Sequence, residues 1–197
     1  MRLLVTGSAG FVGRWALDML GVAADADESA ADCRAFEPVP LPPQVDLRDA
    51  GATRAVVAEL RPDAVLHLAA QSFVPRSFDA PAETLEINLF GTLNLLQALD
   101  AAGFSGRLLY VSSADVYGQV HAETLPIGPE HPTAPRSPYA VSKLAAETLC
   151  QQWQRCHGLD LVIVRPFNHV GPGQDLRFVV PALAGQVRRV ARGEADR

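Results

Sequence analysis

Short apolar runs alternate along this chain with longer stretches in which apolar residues recur every three or four positions. The runs Arg2–Val5, Cys33–Val39, Ala64–Leu68, Leu108–Ser112 and Leu161–Arg165 have the length and residue types of buried strands. Between and after them, Phe11–Leu20, Asp49–Leu60, Glu83–Ala102, Tyr139–His157 and Phe178–Arg192 carry a helical period. Gly103 stands where a glycine commonly ends a helix, and Pro138 where a proline commonly opens one. Strands alternating with helices predict an α/β fold, a doubly wound parallel sheet with helices on both faces. The stretch Gly21–Asp32 has no apolar period and reads as a loop. Glu123–Pro138, rich in proline, reads as an ordered wall or lid.

Composition narrows this picture. A chain of 197 residues with 48% apolar content can bury a core. Its formal charge is −5, and its 17 basic residues are scattered, so no footprint for nucleic acid is present. The odd cysteine count (Cys33, Cys150, Cys156) reads as reduced thiols in a cytoplasmic protein. Cys150, Cys156 and His157 follow helical spacing rather than a closed ligand pattern, so no metal site is expected. No apolar run approaches the roughly 18 residues a bilayer span requires.

Candidate chemistry falls at the ends of the predicted strands. Gly7, Gly10 and Gly13 follow the first strand and open the first helix in the spacing G-x-x-G-x-x-G. Gly7 suits a tight turn, Gly10 a close backbone approach to a pyrophosphate, and Gly13 close packing of helix on sheet. The helix start at Phe11 and Val12 adds N–H groups and partial positive charge. Asp46, next to Leu47, is either a turn or cap residue or, in a nucleotide fold, an acceptor for an adenine amino group. Ser112 and Ser113 end the fourth strand, where ligands of open parallel sheets sit. Tyr139 and Lys143, four apart, share one helix face. A lysine ammonium beside the phenol is expected to favour the phenolate and bring its proton exchange towards neutral pH. Asn88 reads as a buried polar bracket between strand backbones, and His67 as a hydrogen-bonded core histidine.

These pieces resemble, in order, the extended short-chain dehydrogenase/reductase superfamily, in its nucleotide-sugar branch. The segments carrying the resemblance are Tyr110–Gln119, Ser137–Glu147 and Arg165–Gln174, together with the glycine-rich start. The resemblance implies a Rossmann-type dinucleotide domain over residues 1–165, with 166–197 as the incomplete start of a substrate-binding portion. It implies cofactor contacts from Gly7, Gly10, Phe11, Val12, Gly13, Asp46, Leu47, Leu68, Ala69, Ala70, Tyr139 and Lys143. Ser113, Tyr139 and Lys143 would be catalytic, and Ser113, Ala114, Asp115, Asn168 and Arg177 would meet the substrate. Arg177 reads equally as an exposed surface arginine.

The activity implied is NAD(P)H-dependent reduction of the C4 keto group of a nucleotide-bound 4-keto-6-deoxy sugar, with a GDP-linked mannose derivative favoured. The second strand ends in Pro38-Val39-Pro40, neither acidic nor basic, which leaves the cofactor open; the resemblance favours NADP(H) and admits NAD(H). The partners implied are the nucleotide sugar and a second copy of the chain, docked through Glu83–Ala102 and Tyr139–His157. Two other activities of the branch compete, 4,6-dehydration and 4-epimerisation. Dehydratases of the family place Thr at the position of Ser113 and Glu at that of Asp115. Here Ala114 precedes a shorter carboxylate, which weakens elimination. A reading of another class is a cofactor-binding fragment without catalysis, since relatives of this type continue well past Asn168.

Overall fold

The computed structural model describes residues 1–25 and 36–194. Two compact units divide the chain, Met1–Phe167 and Asn168–Arg197. In the first, β1 (Arg2–Thr6), β2 (Glu37–Pro40), β3 (Ala64–His67), β4 (Arg107–Val111) and β5 (Asp160–Val164) form one parallel sheet in the order β2-β1-β3-β4-β5. The helices are α1 (Phe11–Asp25), α2 (Ala50–Leu60), α3 (Val74–Asp79), α4 (Pro81–Leu85), α5 (Gly91–Ala101) and α6 (Pro138–His157). The second unit, described by itself, holds α7 (Val179–Ala191).

The core forms where the apolar runs meet the helical stripes. Leu4, Val65 and Leu108 from the strands pack with Val56 and Val57 of α2, Leu95, Leu96 and Leu99 of α5, and Ala146 and Cys150 of α6. The winding of the chain across the sheet reverses between β1 and β3, while all strands stay parallel. In an open parallel sheet that switch point opens a crevice at the strand carboxyl ends. The loops leaving β1, β3 and β4 therefore carry the candidate chemistry.

Several predicted elements differ from the observed ones. The expected loop at Gly21–Asp32 is helical through Asp25, because α1 continues past Leu20; the remainder of that stretch lies outside the described residues. So does Cys33, the expected start of the second strand, whose described part is Glu37–Pro40. The single helix expected over Glu83–Ala102 is α4, a π-helical turn at Glu86–Phe90, and α5. Helix α3 was not expected. Its six residues are too few to show a period, and Pro75 is accommodated near its N-terminus, where a missing N–H costs nothing.

Candidate active site

The first strand delivers its glycines as the spacing implies, with one difference. Gly7 has φ of 67°, the left-handed conformation that glycine adopts without cost, and a side chain there would stand 2.7 Å from the Ala69 nitrogen. A side chain at Gly13 would stand 2.3 Å from the Gly7 carbonyl oxygen, so α1 starts in direct backbone contact with the loop before it. At Gly10 the difference is one of packing: a side chain there would meet only the Gly7 carbonyl oxygen, at 3.1 Å. Its N–H donates to the Gly7 carbonyl at 3.0 Å and closes the turn internally. The groups facing forward belong to the helix start instead: the first intrahelical bond of α1 runs from Arg14 N–H to the Gly10 carbonyl at 3.0 Å, leaving the Val12 and Gly13 N–H groups ahead of it. This cradle of close-packed glycines at a helix N-terminus fits a dinucleotide pyrophosphate.

Leu68, Ala69 and Ala70 leave β3 beside Gly7. Asp46 and Leu47 lie before α2. Leu47 is buried in the core, while the Asp46 carboxylate grips the Arg48 side chain through Nε at 2.9 Å and Nη2 at 2.5 Å. That hydrogen-bonded guanidinium holds the Asp46 carboxyl below its ordinary range. Asp49, not Asp46, caps α2, accepting from Ala52 N–H at 3.0 Å.

Helix α6 is set by its ends. Ser137 accepts from Ala140 N–H at 3.0 Å, Pro138 occupies the first turn, and Gly158 closes the helix in the left-handed conformation. One face is buried along Tyr139, Lys143, Glu147 and Cys150, at successive four- and three-residue steps. Tyr139 is 8% exposed and Lys143 4%. The Lys143 ammonium lies 4.9 Å from the Tyr110 ring centroid, and the Tyr110 hydroxyl donates to the Lys143 carbonyl at 3.4 Å.

The expectation for Tyr139 needs correction. Its phenol is raised above 10.0, first by burial, with a hydrogen bond from Ser113 pulling it back and the Asp115 carboxylate adding to the rise. Lys143 spends its charge over Tyr110, and burial pushes its own pKa down to about 8. Burial sets both shifts because both groups sit in a dry interior, and Lys143 is not among the groups that act on the phenol. Cys150, one turn past Glu147, is pushed up to about 12 by the same burial and stays a thiol.

Ser113 follows β4 and is half-buried. Its Oγ accepts from Asp115 N–H at 3.2 Å, opening the short 3₁₀ turn Ala114–Tyr117 with Asp115 exposed. The neighbouring Ser112 Oγ is buried without a hydrogen-bond partner among the described residues, a polar atom left over at the strand end. Ser113, Tyr139, Lys143 and Asp115 are thus brought together. Asn168 and Arg177 belong to the second unit; Asn168 is exposed, and the Arg177 guanidinium pairs with Asp175 at 3.0 Å.

Asn88 sits inside the π-helical turn and is a bracket, although not between strands. Its amide accepts from Gln71 N–H at 2.8 Å, donates to the Gln71 carbonyl at 3.1 Å and donates to Ser142 Oγ at 2.8 Å. Ser142 donates in turn to the Tyr139 carbonyl at 2.7 Å. Glu147 and Arg165 are the residues the sequence reasoning passed over. Glu147, 2% exposed, holds the Arg165 guanidinium with both carboxylate oxygens, and Arg165 reaches the Pro129 carbonyl at 3.1 Å and stacks 5.0 Å from the Tyr117 ring. A signal existed: a carboxylate four residues past Lys143 shares the buried face. Among the described residues no cluster of His, Cys, Asp or Glu could hold a metal ion, and no helix is long and apolar enough to cross a membrane.

Comparison with known proteins supports this architecture. The chain matches the NAD dependent epimerase/dehydratase family over residues 3–196. It is 50% identical to a GDP-6-deoxy-D-mannose reductase from Pseudomonas aeruginosa over 98% of its own length and 60% of the relative's. A structure of RMD from Pseudomonas aeruginosa complexed with NADPH superimposes with a TM-score of 0.86 at 49% identity, covering 98% of this chain and 63% of the other. Thermus thermophilus UDP-glucose 4-epimerase in complex with NAD follows at 0.82 and 33%, with the same coverages. The chain therefore spans about 60% of the length of these relatives. With the glycine cradle, the Ser–Tyr–Lys constellation and a family match over nearly every residue, the chain belongs to the NAD dependent epimerase/dehydratase family, of the extended short-chain dehydrogenase/reductase type.

Proposed function

We propose that the chain carries the hydride-transfer site of an NAD(P)H-dependent reductase acting on the C4 keto group of a nucleotide-bound 4-keto-6-deoxy sugar. The assignment is GDP-4-keto-6-deoxy-D-mannose reduced to GDP-D-rhamnose. One observation carries it: Tyr139 and Lys143 are buried on one face of α6 near Ser113 at the end of β4, in a chain half identical to a GDP-6-deoxy-D-mannose reductase.

When bound at the glycine cradle, the nicotinamide dinucleotide supplies the hydride. Gly7, Val12 and Gly13 hold its pyrophosphate, Asp46 and Leu47 its adenine end, and Lys143 its nicotinamide ribose. Tyr139 gives its phenolic proton to the carbonyl oxygen as negative charge grows there, and Ser113 donates a hydrogen bond to the same oxygen. Tyr139 is protonated at neutral pH, as a proton donor must be, although burial makes it a weaker acid than a free phenol. Ala114 and Asp115 contact the sugar. Elimination of water would need a paired acid and base, whereas Asp115 is a single carboxylate following Ala114. NADP(H) is the favoured cofactor: β2 ends at Pro40 with no carboxylate to repel a 2′-phosphate, and the relative's structure holds NADPH.

In the same reading the protein works as a cytoplasmic homodimer. Cys150 and Cys156 are free thiols, suited to a reducing compartment. Phe90 and Val141, on the segments expected at the dimer contact, are 53% and 45% exposed. The deciding experiment mixes the purified chain with GDP-4-keto-6-deoxy-D-mannose and NADPH or NADH and follows loss of the reduced cofactor. Stoichiometric GDP-D-rhamnose supports the reading. Tight cofactor binding without turnover would leave a binding fragment, and water loss in a parallel incubation with GDP-mannose and oxidised cofactor would make the chain a dehydratase.

A further inference from the structure

A continuous chain of buried hydrogen bonds links the cofactor side of the sheet to α6, and its centre is a residue that touches no reacting atom. Thr6, His67 and Tyr110 lie in register across β1, β3 and β4. The direction of every bond around His67 can be deduced. The Thr92 hydroxyl donates to the Asn88 carbonyl one turn back at 2.7 Å, which spends its only proton. Its 2.9 Å contact with His67 Nε2 therefore has the imidazole as donor. Burial pushes the His67 pKa down to about 3, with Lys143 adding to the effect, so the ring is neutral and Nδ1 carries a lone pair. The 2.7 Å contact at Nδ1 then has the Thr6 hydroxyl as donor, and Thr6 Oγ1 accepts from Ala69 N–H at 3.1 Å. Beyond Thr92, the Asn88 amide grips both backbone groups of Gln71 and passes through Ser142 to the Tyr139 carbonyl.

We infer that His67, locked as the Nε2–H tautomer between Thr6 and Thr92, is a positioning residue that sets the Ala69–Gln71 segment against the Asn88–Ser142 bracket holding the backbone of Tyr139. The tautomer and the relay stand on the hydrogen-bond geometry and on the burial that keeps the ring neutral; only the consequence for turnover rests on the reductase reading. An imidazole suits this place because it donates at one end and accepts at the other across a rigid ring. Reversal is blocked, since the Thr92 proton is committed to the Asn88 carbonyl and a bare Nε2 facing Thr92 would find no donor there. The His67 ring also lies 5.8 Å from the Tyr110 ring, over which the Lys143 ammonium sits, so a second cation there would be disfavoured.

The test labels histidine with nitrogen-15 in the 197-residue chain and reads ring protonation by long-range proton–nitrogen correlation, His67→Gln giving the assignment. A single state is expected, with Nε2 protonated and Nδ1 bare. Thr92→Val keeps the shape and removes the hydroxyl. It is expected to abolish that single-tautomer signature, speed exchange of the Gln71 amide about tenfold, and lower kcat about tenfold with cofactor Kd unchanged. Thr92→Ser should restore all three. A His67 protonated at Nδ1 in the unmutated protein overturns the inference. So does a Thr92→Val protein that only melts earlier while Gln71 exchange and kcat stay put. Should the unmutated chain bind cofactor and never turn over substrate, the reductase reading falls, and the tautomer and exchange measurements still decide the relay.

Discussion

At the scale of single residues, the site is governed by burial more than by neighbouring charge. Tyr139 and Lys143 share a helix face as their spacing requires, yet the phenol is raised and the ammonium lowered, each towards its neutral form. Tyr139→Phe keeps the ring and removes the proton donor. It should cut turnover by about 10²–10⁴-fold while leaving cofactor affinity within a few-fold, measured by steady-state kinetics and fluorescence titration. Loss of binding along with turnover would make Tyr139 a structural residue. Lys143 gives a stability prediction with a definite sign. Its folded pKa of about 8 lies below its ordinary 10.5, so between those values the unfolded chain holds more protons and stability rises with pH. Below about 8 the cost of the buried charge is present in full, on the order of 3 kcal/mol. The stability of the unmutated protein relative to Lys143→Met should therefore climb between pH 8 and 10.5 in denaturant titrations. A flat difference across that window would show that Lys143 titrates as an ordinary lysine.

At the scale of elements, the most consequential contact is the one that ties α6 to β5 and to the proline-rich segment. Glu147 and Arg165 are largely withdrawn from water, and Arg165 also supports Pro129 and Tyr117. Arg107 and Asp160, which pair at 3.0 Å across β4 and β5, are by contrast exposed. Removing one partner of a buried pair strands a charge and costs about 3–5 kcal/mol, whereas an exposed pair contributes about 0–1. Glu147→Gln should accordingly lower Tm by roughly 10 °C in calorimetry and Arg107→Ala by less than about 4 °C. Equal shifts would contradict the burial argument. The sequence made the strands and the long helices legible, because apolar runs and helical stripes depend on near neighbours. It did not reveal the π-helical turn at Glu86–Phe90. One extra residue in a helix leaves the apolar period almost unchanged, and the bonds that repay it reach Gln71 and Ser142, far away in the chain.

At the scale of the whole molecule, the order β2-β1-β3-β4-β5 explains why residues scattered from Gly7 to Lys143 converge. Each loop at a strand carboxyl end opens beside the same switch point, so a strand-end position in the sequence becomes a site position in space. Ser113, Tyr139 and the glycines were legible for that reason. The relay through Thr6, His67, Thr92 and Ser142 was not, since Thr6 and Thr92 meet only when β1, β3 and α5 have packed around one ring. The surface offers a further test at this scale. Leu85, Pro135, Pro138 and Val141 line an open groove between α4 and the start of α6, on the segments through which the proposed homodimer would form. Apolar side chains left in water are destabilising by roughly 25 cal/mol per Å², which favours covering such a groove with a second copy. Val141 points away from its own core, being 45% exposed, so Val141→Glu should leave the fold's Tm within about a degree or two. In the dimer it would bury a new carboxylate from each chain in the contact, at a desolvation cost that Arg136 on the rim of the groove offsets only in part, and sedimentation velocity should show the mass falling to that of one chain. A monomeric unmutated protein at micromolar concentration, or a Val141→Glu variant that stays dimeric, would move the contact elsewhere or remove it from the proposal.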